Sequence, residues 1–308
     1  MHTGIKNFLS LKSPIIIDGG LSNVLESKGC NLNHALWTAK LLSENPEILI
    51  NSHIDYIDAG AQVLATASYQ ASFPGLINEG YTKEDARHLM IKSVSLVEEA
   101  IRKAKVNRHI YIAASLGPYG AYLADGSEYR GDYGISKSDL IEFHGRRIEV
   151  FENSNADILA FETIPSLLEA EAIAELLQST KKPAWVSFSC QNESLINDGA
   201  GIESAASLFL QHPKVFAIGV NCTHPKYIHG LIKKLKKSTN KKVLVYPNSG
   251  EVYNPQSKSW LALSEPLAFA ELTIEWIKAG ADLVGGCCRI GPEHIQKVSQ
   301  MINHPRLS

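Results

Sequence analysis

Eight short apolar runs, each rich in β-branched residues and nearly all separated by stretches of helical periodicity, constrain this chain more than any other feature. They fall at residues 14–20, 62–68, 109–115, 157–162, 183–189, 215–221, 242–246 and 281–284. Strands that alternate with helices are joined by crossovers and therefore lie parallel. Eight such units in 308 residues predict the α/β class and a closed (β/α)8 TIM barrel, with a doubly wound open sheet as the alternative. No Pro/Ser-rich linker, low-complexity segment or repeat beyond the βα unit interrupts the pattern, so residues 1–308 read as one domain.

Local signals mark several helices. Asn45-Pro46-Glu47 has the form of an N-cap with a first-turn proline, and Ile50, Ile54, Ile57 and Ala61 follow on one face. Thr82 and Asp85 have capping-box spacing ahead of the apolar stripe Met90, Val94, Val97, Ile101. Residues 116–134, rich in Gly and Tyr, lack helical periodicity and far exceed the roughly two to six residues usual in a βα connection. An irregular, functional loop is expected there.

In a parallel barrel the catalytic groups sit at the C-terminal ends of the strands. The polar residues at those ends are Asp18, Glu162, Asn221, Cys222, Asn248, Ser249, Cys287 and Cys288. Cys287 and Cys288 follow Gly285 and Gly286. Adjacent side chains in a flat strand point to opposite faces, so both thiols reach one ion only where the backbone turns sharply, a turn the glycines permit. Strands six and eight are separated only by strand seven, which brings Cys222 within reach of the same ion. Three thiolates with one open position describe a catalytic zinc site. A vicinal disulfide or redox pair competes with this reading. Asp18 is also placed to cap a helix starting near Ser22, Glu162 to pair with a lysine on a neighbouring helix, and the loop tyrosines to serve as packing. Cys30 and Cys190 read as small buried apolar residues, and His224 as a surface or supporting residue.

The composition narrows the function further. A formal net charge of -2 gives no nucleic-acid footprint, and no run approaches the ~20 apolar residues of a membrane span. Five cysteines without an apolar signal region predict a reduced, cytoplasmic protein, where clustered cysteines are metal ligands or catalytic groups more often than disulfides. The eleven histidines show no metal-binding spacing, which argues against a zinc hydrolase with His and carboxylate ligands.

A three-thiolate zinc site is suited to binding a fourth sulfur. A coordinating thiol loses its proton, leaving an aimed thiolate whose natural partner is an electrophilic carbon such as the methyl of a sulfonium. Aromatic rings from the 116–134 loop would attract that cation, and Asp18 and Glu162 would bind the ammonium group of an amino-acid substrate.

These residues stand within motifs that make the chain similar to one family. Asp18-Gly19-Gly20, Thr66-Ala67-Ser68-Tyr69-Gln70, residues 117–129, Glu162-Thr163, Val220-Asn221-Cys222, residues 246–251 and Gly285-Gly286-Cys287-Cys288 together resemble the homocysteine S-methyltransferases, nearly end to end. The resemblance implies a (β/α)8 barrel and Zn2+ on Cys222, Cys287 and Cys288. It also implies L-homocysteine sulfur as the fourth ligand, with Asp18 and Glu162 near its amino group. Asn221, Tyr119, Asn248 and Ser249 are further substrate-binding candidates. The segments 119–129 and 246–251 resemble the branch that uses S-methylmethionine or S-adenosylmethionine more than the betaine or folate branches. Arg289-Ile290-Gly291 and Gly20-Leu21-Ser22-Asn23 depart from sequences common in the family, and neither touches a proposed ligand. A thiol-based zinc or redox sensor, and a methyltransferase acting on another thiol or selenol, are the alternatives. No nucleic-acid or membrane partner is expected, and oligomeric state leaves no pattern.

Overall fold

A computed structural model describes residues 14–250 and 266–303, together with residues 8, 10, 252–254 and 259–261. All eight expected strands form. They are β1 (Ile15–Ile16), β2 (Val63–Ala65), β3 (Tyr111–Leu116), β4 (Ile158–Ile164), β5 (Ala184–Phe188), β6 (Val215–Asn221), β7 (Lys242–Tyr246) and β8 (Leu283–Val284). Each pairs in parallel with its sequential neighbour from β2 through β8, and β8 pairs with β1. A parallel bridge between Ile17 and Val63 brings β1 beside β2 and completes the (β/α)8 barrel. The open-sheet alternative is thereby excluded.

Eight crossover helices follow the strands: α1 (Pro46–Asp58), α2 (Lys83–Ala104), α3 (Lys137–Glu152), α4 (Leu167–Leu177), α5 (Ile202–Ser207), α6 (Pro225–Ser238), α7 (Pro266–Ala279) and α8 (Pro292–Asn303). The Asn45 side chain accepts the Ile48 N–H at the start of α1, and Thr82 and Asp85 form the expected capping box on α2. A second capping box, Ser136 with Asp139, opens α3. Ile50, Ile57, Met90, Val94 and Val97 are buried, and Ile54 and Ile101 are half-buried at the edges of their stripes. A two-stranded hairpin, Val252–Asn254 with Ser259–Leu261, lies between β7 and α7.

Strand alternation splits the core in two. Ile15, Ile17, Ala160, Trp185, Ala217 and Leu244 fill the barrel interior, while Ile16, Phe161, Val186, Ile218, Val220 and Val245 pack under the helices. Apolar residues face both sides, as a parallel sheet covered by helices requires.

The 116–134 segment is more ordered than its sequence suggests. A short helix, Tyr119–Leu123, and a 3-10 turn, Ser127–Tyr129, occupy it, and left-handed residues Ala124 and Gly126 separate the two. A five-residue helix is too short to leave a periodic signature in the sequence.

Helix α1 also reaches the top of the barrel. The Tyr56 hydroxyl, fully buried, sits 2.9 Å from the Gly20 carbonyl and 3.0 Å from that of Ile290, clamping the chain after β1 to the chain after β8. Replacing Tyr56 by Phe removes this clamp and little volume. Urea unfolding should show a loss of about 0.5–1.5 kcal/mol, the net worth of a typical hydrogen bond.

Candidate active site and metal centre

The three cysteines predicted to meet do so. The Sγ atoms of Cys222, Cys287 and Cys288 all lie within 4.8 Å of one another, with Cys222 and Cys288 3.7 Å apart. Backbone bonds between strand ends set this convergence. Gly286 N–H donates to Asp18 O (3.0 Å), Cys287 N–H to Pro247 O (2.8 Å), Cys222 N–H to Tyr246 O (3.3 Å) and Ser249 N–H to Cys288 O (3.2 Å). Cys222 and Arg289 adopt left-handed backbone conformations, with φ of 47° and 67°, so the chain turns at Cys222 itself and directly after Cys288. The glycines before Cys287 therefore act differently from the sequence expectation. Neither has positive φ; a Cβ on Gly286 would lie 2.1 Å from the Ile290 side chain. Gly285 lets the end of β1 approach, where a Cβ would lie 2.8 Å from Asp18 O, and Gly286 makes room for Ile290, rather than either turning the chain.

The donor set fits zinc. Tetrahedral Zn–S bonds of about 2.3 Å place sulfurs about 3.8 Å apart, close to the 3.7 Å between Cys222 and Cys288. Among themselves the thiols already favour one anion: hydrogen bonds from Cys287 and Cys288 hold Cys222 well below the usual thiol range, and push those two donors up. The Tyr129 hydroxyl, 3.2 Å from Cys222 Sγ, and the Asn248 side chain add to the stabilisation.

Asp18 and Glu162 lie across the same mouth, both buried. Asp18 does not cap the helix Leu21–Ser27, whose N-cap is Gly20; it accepts the Ala65 N–H at 2.9 Å. Among the described residues Glu162 pairs with no lysine. It accepts hydrogen bonds from Ser115 (2.5 Å) and Tyr246 (3.0 Å). Burial raises Asp18 well above the normal carboxylate range and brings Glu162 to about 7, against the pull of Ser115 and Tyr246. Two desolvated carboxyls close enough to repel each other, neither paired with a cation among the described residues, would be stabilised as a pair of anions by a bound positive charge.

A polar layer links these carboxyls to the sulfurs. Ser187 Oγ lies 2.5 Å from the Tyr246 hydroxyl and donates to Asn221 Oδ1 at 2.7 Å. Asn221 also accepts the Thr163 N–H (2.7 Å), donates to Thr163 Oγ1 (2.8 Å) and reaches Cys287 Sγ at 3.9 Å. Thr163, at φ 61°, is a β-branched residue in left-handed space, a rare conformation that Asn221 holds from both sides.

Beneath the loop after β3 lies a buried charged network. Glu169 on α4 accepts the Tyr119 N–H (2.7 Å), the Tyr133 hydroxyl (2.9 Å) and a bond with His144 (2.8 Å). Arg147 on α3 donates to the carbonyls of Gly117 (2.7 Å) and Tyr69 (3.0 Å). Tyr119 packs its ring among Tyr122, Tyr133 and Phe143, so the loop tyrosine that meets the cysteines is Tyr129. Sequence reasoning left Ser115, Ser187, Glu169 and Arg147 without a role; the inward register of β3 and β5 could have flagged the two serines. Cys190 is buried as expected, Cys30 is half-buried, and His224 caps α6. Glu251 lies outside the described residues.

A (β/α)8 barrel whose polar side chains gather at one mouth is the frame of an enzyme, and comparison with known proteins specifies which. A family model for homocysteine S-methyltransferase matches residues 15–302. The homocysteine S-methyltransferase YbgG of Bacillus subtilis is 45% identical over 96% of each chain. A selenocysteine Se-methyltransferase of Brassica oleracea is 40% identical over 98% of this chain and 94% of its own. The crystal structure of the Escherichia coli homocysteine methyltransferase MmuM in its metallated form superposes with a TM-score of 0.86 at 37% identity, covering 96% of this chain and 98% of that one. The protein is a methyltransferase. It belongs to the homocysteine S-methyltransferase family.

The raised Glu162 carboxyl has a measurable signature. Its folded value lies above the usual 4.5, so its contribution to stability is complete below about pH 4.5 and is lost as pH rises through about 7. In metal- and substrate-free protein, the wild type should therefore lose on the order of 3 kcal/mol relative to Glu162→Gln across that window, measured by urea titrations at stepped pH. Parallel curves for the two proteins would contradict this assignment.

Proposed function

We propose that this protein transfers a methyl group from a sulfonium, S-methylmethionine or S-adenosylmethionine, to L-homocysteine, giving methionine. The observation that carries the reading is the meeting of three thiols and two cation-free buried carboxyls at one barrel mouth. Cys222, Cys287 and Cys288 would hold Zn2+, which when bound supplies Lewis acidity that keeps a coordinated substrate thiol deprotonated at neutral pH. The metallated form of the E. coli relative supports a metal here.

Asp18 and Glu162 take the homocysteine ammonium, whose charge removes the penalty of ionising them in a buried site. Asn221 fixes the Thr163 turn and the Cys287 edge of the same pocket, and Asn248 and Ser249 border Cys222 and Cys288. Tyr119, through its backbone bond to Glu169, anchors the loop on which Tyr129 stands. The thiolate sulfur attacks the methyl carbon in line; the carbon–sulfur bond of the sulfonium breaks, and its electron pair stays on the departing sulfur. An anion and a cation become two neutral thioethers, so no general base is needed at this step. Alignment supplies up to ~7 to 11 kcal/mol of the barrier reduction in favourable cases. All five cysteines are free, the state a reducing cytoplasm maintains.

The selenocysteine Se-methyltransferase of Brassica oleracea favours a second acceptor class, a selenol, at the same centre. A zinc or redox sensor would need the thiols but not the carboxyls. Glu162→Ala separates it from the enzyme: zinc should stay bound while homocysteine affinity falls.

Methionine formation should be measured on zinc-replete protein with S-methylmethionine, S-adenosylmethionine and betaine compared under one condition. Turnover is expected with a sulfonium and not with betaine. Cys287→Ala or Cys288→Ala should abolish zinc retention and turnover together, assayed by metal analysis and product formation. A fully active, metal-free variant would end the reading.

A further inference from the structure

The mouth of the barrel contains one more buried carboxyl, and of the carboxyls there it is the one among the described residues with an oxygen both fully buried and without a partner. Asp18 accepts the Ala65 N–H, both oxygens of Glu162 and of Glu169 are bonded, and Asp125 accepts the Ser127 N–H and lies 3.5 Å from Arg130. Glu128 Oε2 is buried and has no hydrogen-bond partner among the described residues. An orphaned buried carboxylate oxygen costs free energy unless something that binds there satisfies it.

Its position is fixed. The 3-10 turn Ser127–Tyr129 packs so tightly on Gly120 that a Cβ there would lie 2.4 Å from the Glu128 nitrogen, and Ser189 Oγ donates to the Glu128 carbonyl. The side chain faces Cys222, Cys288 and Tyr69. The nearest cation, Arg130, is turned to Asp125 and donates to Ser127 Oγ. Glu128 is therefore a buried carboxyl beside the sulfurs, raised by burial to about 7 and held ionised once a cation binds against it, on the loop side of the mouth, whereas the ammonium receptor proposed for Asp18 and Glu162 stands at the ends of β1 and β4.

We propose that Glu128 is the anionic contact for the cationic methyl donor and sets the enzyme's affinity for sulfonium compounds. The inference rests on the methyl-transfer reading for the identity of the donor. It carries a kinetic consequence that a structural role would not. The donor sulfur is positive in the bound substrate and loses that charge as the methyl leaves. A carboxylate beside it binds the ground state at least as well as the transition state, so removing it should weaken binding without slowing the chemical step.

The test is Glu128→Gln on zinc-loaded protein, with Glu128→Asp as a charge-retaining control. Calorimetric titration with S-methylmethionine should show binding at least 10-fold weaker in the Gln variant and intermediate in the Asp variant. Homocysteine affinity and zinc content should stay within twofold of wild type. In steady state, the donor KM should rise with kcat unchanged or higher. Undiminished sulfonium binding by Glu128→Gln, equal losses for both ligands, or a kcat that falls at constant KM would each overturn the proposal, as would a wild type that binds no sulfonium. Wild type that binds S-methylmethionine but forms no methionine would instead defeat the methyl-transfer reading and leave the Glu128 contact standing.

Discussion

Everything at this site depends on four backbone hydrogen bonds that lock the ends of β1, β6, β7 and β8 together. A thiol triad assembled from residues 222, 287 and 288 has no local reason to exist; it exists because barrel closure dictates which strand ends are neighbours. Once Gly286 is bonded to Asp18 and Cys287 to Pro247, the sulfurs meet and Asp18 comes to the same rim. The fold does not merely carry the site. Its hydrogen-bond register is the site's geometry.

The polar layer under the mouth solves a problem that this geometry creates. A barrel interior of Trp185, Ile17 and Leu244 gives way, one residue higher, to ionisable groups that would be costly without partners. Ser115 and Tyr246 supply partners to Glu162, with Ser187 bonded to Tyr246 behind them, and the Ala65 N–H supplies one to Asp18, all without supplying a charge. Below the loop the opposite solution is used. Glu169, His144 and Arg147, all buried, bond to one another or to the loop's own backbone, and that network ties a nineteen-residue connection, 116–134, to the helices beneath it.

Much of this was legible in the sequence because it is carried by local pattern. β6 and β7 begin and end where alternation and β-branching place them, and Cys222, Cys287 and Cys288 stand out by position at strand ends. What sequence reasoning lost is what depends on who faces whom. Ser115 and Ser187 are unremarkable until the inward register puts them against Glu162 and Asn221. Asp18 reads equally well as a helix cap until Ala65 is seen to claim it. The glycines before Cys287 suggest a turn, yet their value is steric and involves Ile290, a residue on the far side of the turn. Of the loop tyrosines, only three-dimensional placement separates Tyr119, packed in an aromatic cluster, from Tyr129, which touches sulfur.

Asn221 has a consequence beyond holding a turn. Its single carboxamide is bonded to both sides of Thr163, the residue after Glu162, while its own backbone leads directly into Cys222. The strand end that carries Cys222 and the strand end that carries Glu162 are thus one mechanical unit rather than two adjacent pockets. A ligand at one end that favoured the arrangement the other requires would, by thermodynamic reciprocity, raise both affinities by the same factor. Whatever shifts the Cys222 end therefore acts on the Glu162 end through one amide.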